Sequence, residues 1–180
     1  GPADLQQIAM AFGIAGVLTY ASMRLVCWRS KAAGVPRIQQ GRTAWRLVLT
    51  GSTLAAVFGV GYTMLLQAYG LAPPASPLLD GPWSWLWLSV LAVLAAPLCE
   101  EFIFRGLIQG GLRRSLPAWQ AVIIGAAIFA IVHPPASMLP VFVLGLCTGW
   151  AYEKSGALLA PMLVHASYNA AMLACQFALF

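Results

Sequence analysis

Long apolar runs alternate with short polar stretches along this chain, and the runs are the right length to matter. A helix that crosses a bilayer needs about 20 mostly apolar residues. Six runs approach or exceed that length: 5–27, 45–69, 83–112, 118–133, 138–153 and 156–178. They predict an all-α, polytopic membrane protein. About six transmembrane helices would form one domain over residues 1–180, a bundle around a buried polar site. The connections between runs are distinct. Residues 28–44, WRSKAAGVPRIQQGRTA, are basic with Gly and Pro, whereas 70–82, GLAPPASPLLDGP, are rich in Pro and hold no Lys or Arg. RRSLP follows the third run, HPPAS the fourth and EKSG the fifth. The fourth and fifth runs are short, and no internal repeat stands out.

Composition narrows the class. The chain is 61% hydrophobic and 8% charged with a mean hydropathy of +0.81, too little charge to cover a soluble domain. The net charge of +5 is not a nucleic-acid signal, because the bases sit between apolar runs, where they orient a membrane protein. Arg24, Arg29, Lys31, Arg37, Arg42 and Arg46 flank the first connection, Arg113 and Arg114 the third, and Lys154 the fifth. Six crossings put those three on one side, which the positive-inside rule makes cytoplasmic. The other side receives Asp4 and Asp80. The expectation is a multi-pass protein of a bacterial inner membrane, with the bilayer as partner and both termini outside the cytoplasm. Trp83, Trp85 and Trp87 would form an interfacial belt at the outer end of the third helix. Cys27, Cys99, Cys147 and Cys175 show no metal-ligand spacing and are expected to be packing residues. Gly1-Pro2 has the form of a protease-cleavage scar, and the first run is expected to be a helix rather than a cleaved leader.

Every Lys and Arg but Arg105 is explained by that orientation. The conspicuous polar residues within the runs are Glu100, Glu101, Arg105, His133, His165 and Asn169. Ionisable groups in a bilayer are costly and usually face a bundle interior or a cavity. At 1.5 Å per residue, Glu100 lies roughly 20 Å from the basic end of its helix and His133 roughly 24 Å. His165 and Asn169 lie roughly 15 and 21 Å up theirs. Three helices thus bring rare polar groups to similar depth, which suggests one site nearer the outer face.

Spacing adds detail. Glu100 and Glu101 point about 100° apart and are not expected to aim at one point. Glu101 and Arg105 are i,i+4 with the acid first, the favourable order. Arg105 would neutralise Glu101 and leave Glu100 as a proton acceptor with His133 as partner. His165 and Asn169, also i,i+4, share a face and could donate hydrogen bonds to a developing oxyanion. Pro97 should kink its helix and free the carbonyl of Val93. Pro134-Pro135 should end the fourth helix just after His133, where water could reach it.

Three segments carry a resemblance: EEFIFR (Glu100, Glu101, Arg105), FAIVH (Phe129, His133) and HASYN (His165, Asn169). In order and placement they resemble the motifs of the CPBP family, the CAAX-protease and bacteriocin-processing or Abi family of intramembrane endopeptidases. The resemblance covers about residues 83–172. It implies a helical membrane fold and peptide-bond hydrolysis of glutamic type. Carried over, Glu100 and His133 activate a water, His165 and Asn169 stabilise the oxyanion, and Glu101 and Arg105 support them. No cofactor is then expected. The alternative is a zinc-dependent CAAX-type protease with Glu100, His133 and His165 as ligands. Against zinc, the sequence lacks HExxH and shows no acidic partner for the histidines.

The expected substrate is a membrane-anchored protein or peptide. The site's depth suggests processing of C-terminal sorting signals on exported proteins, as in some branches of that family, rather than of prenylated cytoplasmic ones. A non-catalytic bacteriocin-immunity role and proton-coupled transport are the remaining alternatives. Against transport, the chain is small and lacks an inverted repeat.

Overall fold

The computed structural model describes residues 2–30, 37–38, 45–72 and 83–179. These form the long helices α1 (Pro2–Ser30), α2 (Trp45–Ala68), α3 (Ser84–Leu112), α4 (Ala118–Ile131), α5 (Met138–Ser155) and α6 (Leu159–Leu179). The apolar runs therefore became helices with ends shifted by a few residues. Most of the connections 28–44 and 70–82 lies outside the described residues. Of the first, Arg37 and Ile38 are described, and their carbonyls accept from the Leu158 and Leu159 N–H groups at 2.9 and 2.8 Å. Those contacts satisfy N–H groups at the start of α6, which no intrahelical partner can reach.

α2, α3 and the segment Pro135–Ser155 are each long and apolar enough to cross a membrane, and the protein is an integral membrane protein. α4 is shorter, at 14 residues, or about 21 Å. Its outer surface is apolar, with Ile123, Ile131 and Val132 exposed. The basic residues gather as the hydropathy pattern requires: α2 starts beside Arg46, α3 ends at Arg113, and α5 ends at Lys154. Arg113 Nε and Glu153 Oε2 are 3.2 Å apart, so the ends of α3 and α5 meet. We refer to this as the basic end. At the far end Trp85 meets Phe177 edge-on at 5.3 Å, while Trp83 is exposed.

α2, α4, α5 and α6 enclose the main core, built on Ala55, Phe129, Leu144, Val164 and Tyr168. α1 packs along α3. Lipid tails are as apolar as the side chains, so helices in a membrane gain by close contact rather than by escape from water. Gly145 of α5 shows this. A Cβ there would stand 2.9 Å from Ala126 Cα on α4, so only glycine permits that approach.

α3 departs from a regular helix. Val90–Ala95 and Phe102–Gln109 are wound as π-helix, with α-helix between them. π segments insert a residue into the turn and are frequent at functional sites. Here they bracket Glu100 and Glu101.

Candidate active site

Pro97 has an effect different from the one its spacing predicts. In the π register an N–H bonds five residues back, as Ala96 does to Leu91 O. The next such bond would run from residue 97, and proline has no N–H. The carbonyl released is therefore that of Ala92, not Val93. Asn169 Nδ2 of α6 donates to it at 2.6 Å. Asn169 thus ties α6 to the irregular part of α3, and its second amide hydrogen stays available.

One turn toward the basic end lies the ionisable cluster. Glu101 is completely buried. Its Oε2 accepts from Arg105 Nε at 2.8 Å, the pair the spacing predicts. Its Oε1 lies 2.8 Å from His165 Nδ1. This second contact corrects two expectations: a histidine does have an acidic partner, and the adjacent glutamates do converge. They reach opposite sides of one imidazole. His165 Nε2 stands 3.9 Å from Glu100 Oε2, whose side chain is 19% exposed. The gap is too long for a hydrogen bond. An ionised Glu101 can only accept, and in that state His165 carries its proton on Nδ1.

His133 lies just past the end of α4, in a bend rather than on the helix. Its Nδ1 is 2.7 Å from Phe129 O. A carbonyl oxygen only accepts, so Nδ1 is the donor and neutral His133 presents Nε2 as a lone pair. Two carboxylates and one guanidinium leave this cluster one proton short of neutrality, which a low-dielectric interior makes costly. A proton on either His165 Nε2 or Glu100 would make up the difference.

Phe129 was not among the expected site residues, although it heads the FAIVH segment. It is fully buried, and its ring meets His133 at 4.8 Å, His165 at 5.7 Å and Phe104 at 4.8 Å. Arg105 lies over its face at 5.2 Å, a cation–π distance. One apolar ring sets the spacing of two histidines and an arginine. Gln109, four residues beyond Arg105 in the same apolar run, was also passed over. It is fully buried and donates to Glu153 Oε1 at 2.9 Å. A polar side chain inside an apolar helix was the available signal. Among the described residues no three His, Cys, Asp or Glu side chains group closely enough to hold a metal ion.

Comparison with known proteins agrees with the motif resemblance. Residues 82–171 match the family described as type II CAAX prenyl endopeptidase Rce1-like. An uncharacterised 24.3 kDa protein of Escherichia coli is 30% identical over 161 residues, covering 83% of this chain and 72% of that protein. No solved structure matches the chain.

Proposed function

The chain belongs to the Rce1-like CAAX-protease family and is a membrane protease, and from that premise we propose that it hydrolyses peptide bonds by a glutamic mechanism, with Glu100 and His133 activating a water. The observation that carries the reading is the division of labour around His165. Glu101 and Arg105 hold one face of the ring, and Glu100 stands unbonded at 3.9 Å on the other.

In this mechanism the Glu100 carboxylate, assisted by the Nε2 lone pair of His133, takes a proton from water as its oxygen attacks the scissile carbonyl. The proton then passes to the leaving nitrogen. With that proton on Nε2, His165 donates a hydrogen bond to the oxyanion, and the second amide hydrogen of Asn169 does the same from one turn away. Preorganised donors of this kind each contribute about 10²–10³ in rate.

Zinc is the second reading. Two histidine Nε2 atoms and a carboxylate suit it, and Glu101 on His165 is the kind of acidic partner that zinc-bound histidines have. The three side chains are not gathered at ligand spacing among the described residues, which favours the metal-free reading. Metal analysis of active protein separates the two: stoichiometric zinc, lost with activity on chelation, overturns the glutamic mechanism.

The substrate is read as a membrane-anchored segment of an exported protein. α4 spans about 21 Å of an apolar layer about 30 Å thick, and His133 follows its end on the side opposite the basic end. Water and the scissile bond enter there. A helical substrate must first expose its carbonyl, so Gly or Pro near the cleaved bond helps. Labelling of Ser76→Cys tests the orientation. A membrane-impermeant reagent should reach it from outside the cell; labelling from the cytoplasmic side only would invert the topology and point to cytoplasmic, prenylated substrates. The central test is Glu100→Gln, which should insert and fold but not cleave.

A further inference from the structure

The polar groups of α3 continue past the catalytic cluster. Glu101, Arg105, Gln109 and Arg113 follow at four-residue spacing. α5 answers the lower two: Gln109 Nε2 donates to Gly149 O at 3.1 Å and to Glu153 Oε1 at 2.9 Å, and Arg113 Nε to Glu153 Oε2 at 3.2 Å. One break interrupts this file. Arg105 Nη1, Arg105 Nη2 and Gln109 Oε1 are buried and make no hydrogen bond among the described residues. The break has room around it. Arg105 Nη1 and Gln109 Oε1 each lie 3.9 Å from the point where a Cβ on Gly125 would stand, and Oε1 lies 3.0 Å from that point on Gly149. Glycines of α4 and α5 thus wall a space that a buried cationic donor and a buried acceptor both face. An anion would be repelled by the amide oxygen and a cation by the guanidinium. A water satisfies both, and buried waters typically take about three such partners.

We propose that this space binds a water joining Arg105 Nη to Gln109 Oε1, and that through it Gln109 is a positioning residue for the reaction. The second half rests on the roles given above to Glu100 and His165. Phe129 holds the guanidinium from one face only. The water fixes its rotation, keeping Nε on Glu101 Oε2 and therefore Glu101 Oε1 on His165 Nδ1. The ring then keeps Nε2 aimed at Glu100. Displacing the water lets the guanidinium turn, and the aim is lost.

Two measurements test this. In wild-type protein in lipid nanodiscs, the Arg105 Hη protons should show NMR cross-relaxation with a long-lived water. Absence of that signal overturns the proposal, whatever the enzyme cleaves. Gly125→Ala puts a methyl in the space with contacts no closer than 3.8 Å. It should abolish the water signal and lower the thermal midpoint modestly, because two buried polar groups lose their partner. On a membrane-anchored fluorogenic peptide it should lower kcat about tenfold, as loss of an orienting partner does elsewhere, with KM unchanged and the pH profile of kcat displaced. Loss of the water with wild-type kcat and pH profile overturns the positioning role. If Gly125→Ala fails to fold, Gln109→Leu takes its place with the same readouts. Failure of the wild type to cleave any membrane peptide would count against the protease mechanism, and the water signal would still decide the binding site.

Discussion

On the far side of His165 the bundle holds Glu100, which like His133 and Asn169 is partly exposed with bonding capacity to spare. On the near side it holds Glu101, Arg105 and Gln109, fully buried and bonded to one another or to α5. Both sets are polar groups in an apolar bundle. The contrast shows how the same expensive residues serve two ends. Where a polar side chain is fully buried and held by its neighbours, the group is a strut: moving it costs the fold. Where a lone pair or N–H is left over, the group has the capacity that the proposed mechanism uses. Glu100 and Glu101 are neighbours in sequence, yet the ring of His165 separates one condition from the other.

The contrast can be broken by exchange of single atoms. Glu100→Gln should lower cleavage by about 10²–10⁴-fold, because the amide cannot take the water's proton, with an unchanged melting curve. Retained activity would remove Glu100 from the reactive set. Glu101→Gln should act through stability, because it removes the charge that Arg105 pairs with and leaves one acceptor oxygen where Arg105 and His165 each had their own. Removing one partner of a buried pair typically costs about 3–5 kcal/mol, measurable by denaturant unfolding in mild detergent. A variant that unfolds like wild type would show that the near side is no strut. His133→Gln belongs with Glu100. Activity should fall by about 10²-fold with the fold intact, and a drop in melting temperature instead would move His133 across the divide.

Asn169 is the case that sharpens the division, because it faces both ways. Asn169→Ala leaves the Ala92 carbonyl unanswered, a loss of about 1–3 kcal/mol. Pro97→Ala restores an N–H that can reach that carbonyl. In the Pro97→Ala background the same substitution should therefore cost measurably less stability and still impair cleavage. Equal costs in the two backgrounds would show that proline did not release Ala92.

The helices were legible in the sequence because a bilayer demands unbroken apolar runs, and the six runs are the six helices within a few residues. The polar cluster was legible for a related reason. Glu100, Glu101, Arg105, His133, His165 and Asn169 are too costly in that setting to pass unnoticed, and the structure brings Glu100, Glu101, Arg105 and His165 into contact. Hydropathy could not show the winding of α3. The π register changes which carbonyl Pro97 frees, and it lets consecutive glutamates close on one ring from two sides. Glu153 was hidden by its neighbours. EKSG reads as a turn, yet Glu153 is in the last turn of α5, bonded to Gln109 and Arg113. Phe129 was invisible as a site residue, since one more apolar residue in an apolar helix carries no signal until its neighbours are known.

The short α4 has a consequence for the lipid as well as for the protein. Its exposed face offers about 21 Å of apolar height, and a bilayer accommodates such a mismatch by thinning beside the short segment, at a fraction of a kcal/mol per Å. A bilayer that thins by that amount brings headgroups and water toward Ile131 and Val132, next to His133 in the chain. A substrate helix diffusing into that dimple has its end lifted out of hydrocarbon before it touches the enzyme, and part of the cost of unwinding it is met by the deformed bilayer. The acyl-chain length of the host membrane is therefore a variable of the reaction, as much as the sequence around the cleaved bond.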